Sequence, residues 1–359
     1  MRLLLLGFIF VIINLFFKGK KGTYLMFLGI LIVMGLQGKA GWDYLEYEIN
    51  FILFKPPFFI DNHNTEICWL WLYRLFSFTE FPVLVFFVSF VQYLILVIFV
   101  NKYIKVSIWK NFAFFLFFFT QSFLGFQISA LRQGLAIELL ALSFILIADK
   151  KYILAILCTI AMYNIHRSSL LTIPFIILFY FYCRYSNKDI VKDRIGIIKI
   201  LPIIFISLYF FKDLFFTFIV PIADNLSTSE FKHYVTQLEF LEISPLIVIY
   251  DLVCIIAITL YLKDCKGHIR YLCYMSIIAF FGEGFLFGLS DLPRLTYYFS
   301  IFNIIVLPNV GLFLYNKYNK YISIGFVLMC CIYALKTFMP YVTNPEIPRI
   351  MNFKFIFEL

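Results

Sequence analysis

Long apolar runs recur along almost the entire chain, near 3–17, 23–37, 81–100, 111–127, 135–148, 152–165, 169–183, 197–220, 244–262, 271–289, 296–315 and 321–335. A hydrocarbon slab about 30 Å thick requires roughly 20 apolar residues of a helix that crosses it, because no water is present there to satisfy an open backbone. The runs predict an all-α, polytopic integral membrane protein with about twelve transmembrane helices, the shorter ones tilting little or continuing into their polar flanks. Of the 359 residues, 63% are hydrophobic and 14% charged, so a soluble core has no way to hide the apolar side chains. No Gly/Ser linker, low-complexity tract or internal repeat interrupts the sequence, and residues 1–359 read as a single polytopic membrane domain. The opening MRLLLLGFIFVIINLFFKGKKG has no small-residue cleavage site and its basic cluster follows the apolar run, which reads as a retained first helix. Eight cysteines show no C-x-x-C spacing and lie mostly within apolar runs, where a thiol acts as a small hydrophobe.

Counting Lys and Arg in alternate connections orients the helices. The connections at 18–21, 102–110, 150–151, 184–199, 263–270 and 317–320 hold eighteen basic residues, and with their flanks only four acids, Asp149, Asp189, Asp193 and Asp264. That set is expected to face the cytoplasm. Both termini and two larger loops, near 38–80 and 221–243, then face outward. The net charge of +9 follows from this asymmetry and calls for no nucleic-acid partner. Within the first loop, Asp43, Tyr47 and Asn50 share one helical face while Leu45, Ile49 and Ile52 share another. The spacing predicts an amphipathic helix lying at the membrane interface and ended by Pro56 and Pro57.

The unusual polar groups fall on the outward side of this topology. Arg132 and Gln133 open an apolar helix in SALRQGLAIELLALS, His166 and Arg167 lie in the turn of YNIHRSSLL, and Arg294 lies in DLPRLTYYF. A charge at membrane depth costs several kcal/mol, so such residues tend to face a water-filled cavity or a partner. Three arginines on one side fit an anion site, since guanidinium keeps its charge and grips phosphate oxygens in a fork. Each arginine also fits a snorkelling anchor at the lipid headgroups, the preferred reading for Arg167. His166 fits a general base or a helix-end cap equally. Glu283, between glycines in FFGEGFLFG about 9 Å below the outer face, is an intramembrane carboxylate and a functional candidate by default. Glu138 lies on a different helical face from Arg132; it and Asp251 read as partners of neighbouring helices. The sequence lacks G-x-x-x-x-G-K-[ST], G-x-S-x-G, H-E-x-x-H and D-x-D, and DNHN at 61–64 is a weak metal signal, so no cofactor or metal is expected.

The segment RQGLAIELLALSFILIADKKYILAILCTIAMYNIHRSSLLTIP resembles the Arg-Gln-x-x-Ala helix, short basic turn, next helix and His-x-Ser segment of the EpsG-like branch of the Wzy-type polysaccharide polymerases. DYLEY at 43–47, followed by TEICWLWLYRLF at 65–76, is similar to that family's early Asp-Tyr-x-x-Tyr loop and the acid, here Glu66, that opens its next helix. PRLTYYFSIFNIIVLP at 293–308 looks like its late Arg-x-x-x-Tyr-Phe helix. ICWLW after Glu66 departs from the Gly or Pro that tends to precede an aromatic residue there. The resemblance implies a GT-C-like glycosyltransferase of the bacterial inner membrane that joins undecaprenyl-diphosphate-linked oligosaccharide repeats into O-antigen or related surface polysaccharide on the periplasmic face. Its expected partners are those lipid-linked substrates, membrane lipid and a chain-length regulator protein. On that reading Arg132 and Arg294, with Arg167 third, bind the diphosphate. His166, Glu283 or Asp43 accepts the acceptor's proton. Gln133, Tyr44, Tyr47, Glu66, Tyr297 and Tyr298 line the cleft. Two other classes fit the same residues: a lipid-oligosaccharide flippase, which would show related halves with broken helices, and a membrane O-acyltransferase with His166 as its base.

Overall fold

The computed structural model describes residues 9, 20–38, 43–55, 66–120, 130–185, 200–210, 245–286, 293–343 and 354–355. Apart from residue 9, the expected first helix at 3–17, the DNHN segment at 61–64 and the loop at 221–243 lie outside the described residues. Those that are described are nearly all helical, and they form two compact units: Met1–Ile177 with Cys330–Leu359, and Leu178–Met329.

The first unit begins with α1 (Lys20–Gly35) and continues through α2 (Asp43–Leu53), α3 (Ile67–Leu75), α4 (Phe81–Tyr103), α5 (Ser107–Phe119), α6 (Leu131–Ala148) and α7 (Tyr152–Ile165). A 3-10 turn (Arg167–Thr172) then leads into α8 (Ile173–Tyr185). The second unit carries α9 (Leu201–Phe210), α10 (Pro245–Leu262), α11 (His268–Leu286), α12 (Pro293–Ser300), α13 (Asn303–Lys317) and the start of α14 (Lys320–Thr343). A two-residue antiparallel pair, β1 (Gln37–Gly38) with β2 (Lys354–Phe355), sets Gln37 opposite Phe355. Among the described residues five stretches are long and apolar enough to cross a membrane: Phe81–Tyr103, Leu131–Ala148, Arg167–Tyr185, Pro245–Leu262 and Lys320–Met339. The chain is a multi-pass membrane protein of helices.

The helix α4 shows how the sequence sets these elements. Glu80 is extended at its N-cap, Pro82 falls in the first turn where its missing N–H is not needed, and 23 residues follow before extended Ile104 stops it. It is apolar all round and correspondingly packs on both α1 and α6. In the interior Leu84, Val88, Leu96 and Phe99 of α4 and Ala136, Leu140, Ala141 and Phe144 of α6 are buried. Lipid tails are as apolar as leucine, so dispersion and close approach hold such helices together. The small residues of α6 fit that requirement, and Ser143 Oγ approaches Thr159 Oγ1 of α7 to 3.5 Å. The α6–α7 turn is closed by Lys150 in the left-handed region, φ 60°, with the Lys151 amide donating back to the Leu146 carbonyl at 2.8 Å. Asp149 in the same turn pairs with Lys102 at the end of α4.

Two expectations from sequence meet the structure differently. The expected two-faced helix is present as α2, with Leu45, Ile49 and Ile52 exposed and Tyr44, Tyr47 and Phe51 buried. The apolar run at 296–315, read as one span, is instead divided into α12 and α13 at Ile301–Phe302. Its hydroxyl and amide groups account for the break. Ser300 Oγ donates to the Tyr297 carbonyl at 3.0 Å and competes with the helical backbone, while the Asn303 amide oxygen is held by Ser276 of α11.

Candidate functional site

Three helix ends of the first unit bring charged groups together. Arg132 is the second residue of α6. Glu66 stands at the N-cap of α3 in extended conformation, φ −66° and ψ 143°, yet makes no side-chain cap to its own helix. His166 caps the C-terminus of α7, also extended at φ −154°, and passes the chain into the 3-10 turn at Arg167.

The Glu66 carboxylate is the hub. Its Oε2 accepts from Arg132 Nη1 at 2.5 Å. Its Oε1 accepts from the Arg167 backbone amide at 3.5 Å and lies 3.6 Å from His166 Nδ1. Arg132 Nε also donates to the Tyr47 hydroxyl at 3.4 Å, and its guanidinium carbon lies 5.2 Å from that ring's centroid. Tyr47 is fixed in turn, because the Tyr73 hydroxyl donates to its carbonyl at 3.2 Å and Trp69 packs on its ring at 5.7 Å. The Glu66 side chain is 9% exposed against 23% for Arg132 and 27% for His166, so the cation and the imidazole are the members open to an entering molecule.

The electrostatics follow from this arrangement. Burial by itself pushes the Glu66 carboxyl up, but the His166 imidazole and the Arg132 charge outweigh it and hold the group at about 2. Burial raises the Tyr47 phenol, with Arg132 opposing, so Tyr47 serves as a neutral hydrogen-bond partner. A carboxylate this acidic is a poor proton acceptor at neutral pH and a strong fixed anion.

The other residues singled out from sequence fall into place around the hub or in the second unit. Tyr44 is fully buried with Phe81 edge-on at 5.1 Å, and Gln133 is buried in α6. Asp43 begins α2 one turn before Tyr47. Arg167 is exposed and contributes its backbone amide rather than its side chain to Glu66. Glu138 is fully buried within electrostatic reach of Tyr93 of α4. In the second unit Asp251 of α10 is fully buried and within electrostatic reach of Glu283 of α11. Gly282 beside it is required by packing, since a Cβ there would sit 2.5 Å from Thr296 Cγ2 of α12. Tyr298 is fully buried and Tyr297 half-buried on α12; Arg294 is on the first turn of that helix, with its side chain outside the described residues. Among the described residues no group of three or more His, Cys, Asp or Glu could hold a metal ion.

Sequence reasoning singled out Glu66 and Arg132 separately but missed their pairing, and it missed Tyr73 and Trp69, which set Tyr47. The available signal was a lone acid opening one apolar helix and a lone arginine opening another.

The family model of the EpsG family matches residues 22–348, which include every residue of this cluster and those of the second unit. The chain belongs to the EpsG family. No curated protein and no solved structure matches it. Membership makes this EpsG protein a membrane protein of the polysaccharide-polymerase type, with a glycosyltransferase-like activity.

Proposed function

We propose that this EpsG protein polymerises polyprenyl-diphosphate-linked oligosaccharide repeats, working in the bacterial inner membrane on the face away from the cytosol, in a GT-C-like fold of about twelve spans. The observation that carries the reading is the meeting of Arg132, Glu66 and His166 at three helix ends. In the reaction the acceptor repeat's hydroxyl oxygen attacks the anomeric carbon of the donor sugar. The bond from that carbon to the diphosphate oxygen breaks, its electron pair leaves with the polyprenyl diphosphate, and the hydroxyl proton passes to a base. Charge grows on the departing diphosphate, and a fixed guanidinium aimed at it stabilises the transition state by about 3–4 kcal/mol. Arg132 takes that role, and Arg294 and Arg167 are the further candidates for it. His166 is the base, its Nδ1 held toward Glu66 so that Nε2 is left for the acceptor. Glu66, too acidic to accept the proton, orients the imidazole. Asp43 and Glu283 are the alternative acceptors. Tyr47 supports the guanidinium, and Tyr44, Gln133, Tyr297 and Tyr298 are the candidates for lining a sugar cleft.

The test is the lipid-linked product made by Arg132→Ala and His166→Ala variants at matched membrane abundance. Single unpolymerised repeats on the outer side are expected from both. Unmodified repeats retained inside would identify a flippase, full-length polymer lacking esters would identify an acyltransferase, and normal long chains in both would remove these residues from the mechanism.

A further inference from the structure

The seat assigned to the donor's diphosphate already holds an anion. Glu66 Oε2 occupies Arg132 Nη1 at 2.5 Å, while Oε1 occupies the Arg167 amide at 3.5 Å. A carboxylate and a phosphate offer a guanidinium fork oxygens of like charge and spacing, so the two compete for the same donors. Glu66 is placed for this at the expense of its own helix. It stands at the N-cap of α3, where a side-chain oxygen ordinarily satisfies a first-turn amide, and makes no such bond. Its side chain is 9% exposed, so its contact with Arg132 is largely shielded from water.

We propose that Glu66 is an internal occupant of the anion seat and sets its selectivity. The tethered carboxylate neutralises Arg132 while no substrate is bound, and it yields Arg132 only to an anion that competes better than itself. A diphosphate, with several negative charges on adjacent groups, meets that condition. The singly charged phosphodiester of a surrounding phospholipid headgroup does not. Through the exchange Oε1 keeps its place beside the Arg167 amide and His166, so the imidazole stays oriented. This rests on the assignment of Arg132 to the donor diphosphate, and it adds to that assignment a filter against membrane lipid.

The experiment uses the full chain in nanodiscs of phosphatidylcholine, with inorganic pyrophosphate as the probe. If the carboxylate leaves the seat one time in ten or less, apparent affinity is lowered by that fraction, and Glu66→Gln is expected to bind pyrophosphate about ten-fold or more tightly than the unaltered chain. Glu66→Asp keeps the charge on a shorter arm and is expected to fall between them, which supplies the comparison if the glutamine variant folds poorly. Glu66→Gln with Arg132→Gln is expected to lose the gain. In nanodiscs with equal parts phosphatidylglycerol, the anionic lipid is expected to compete with pyrophosphate in Glu66→Gln and not in the unaltered chain. Pyrophosphate affinity unchanged or weaker in both Glu66 variants, or equal competition by phosphatidylglycerol with and without Glu66, would overturn the proposal. Failure of the polymerase reading is seen separately: Arg132→Gln making normal polymer would sink that reading whatever pyrophosphate does.

Discussion

Glu66 Oε2 lies 2.5 Å from Arg132 Nη1, so the acid that opens the Ile67–Leu75 helix is bound to the cation that opens the Leu131–Ala148 helix. Two segments 66 residues apart are thereby joined by one charged contact over the Tyr47 ring.

Removing one partner leaves the other partly buried and uncompensated. Arg132→Gln or Glu66→Gln alone is expected to destabilise the chain by about 2 kcal/mol, below the roughly 3–5 kcal/mol of a fully buried pair because Arg132 retains 23% exposure. The double variant is expected to recover part of that loss, with a coupling of about 1–3 kcal/mol in thermal unfolding of the detergent-solubilised protein. Additive losses would mean that the pair contributes nothing jointly.

Acid sensitivity follows from the depressed Glu66 carboxyl, about 2 against an ordinary 4.5. A folded value below the unfolded one gives stability that is fully present above 4.5 and is lost as pH falls toward 2, because the unfolded chain takes up the proton first. The thermal midpoint of the unaltered chain is expected to exceed that of Glu66→Gln by a constant amount from pH 7 down to about pH 5 and to converge on it below. A constant gap down to pH 3 would show that Glu66 is not held ionised by its neighbours.

On the proposed reading His166→Ala lowers the rate of polymerisation by about 10²–10⁴, the usual range for loss of a positioned base. The measurement is product length against time in membranes containing lipid-linked repeats, at equal protein abundance.

Gly282→Ala tests the close approach of His268–Leu286 to Pro293–Ser300, where the added methyl meets Thr296 Cγ2 at 2.5 Å. A loss of about 1–3 kcal/mol is expected from the overpacking. Thr296→Ser deletes that methyl and is expected to restore the Gly282→Ala variant to near its starting thermal midpoint. Failure to restore it would place the strain elsewhere.

Much of the fold was legible because apolar length and periodicity are local properties. Phe81–Tyr103 and Pro245–Leu262 follow from their runs, and the Asp43–Leu53 helix shows the two faces expected from its spacing. The break at Ile301–Phe302 was not legible, since hydrophobicity continues across it and the cause is hydrogen bonding by Ser300 and to Asn303. At the site, residue type marked Arg132 and His166 as unusual, and Glu66 stood out only through the family resemblance. What joins them is long-range packing, which leaves no periodic trace in the sequence. For the same reason burial of Tyr44 and Tyr47 was not foreseen: an aromatic residue beside a polar cluster reads alike whether it lines a cleft or props one of its walls.

The Asp43–Leu53 helix turns Leu45, Ile49 and Ile52 outward while its opposite side holds Tyr47 against Arg132. An apolar outer surface and the support of the guanidinium are thus carried on opposite sides of one helix. A displacement of that helix carries Tyr47 with it, and so alters the support under Arg132.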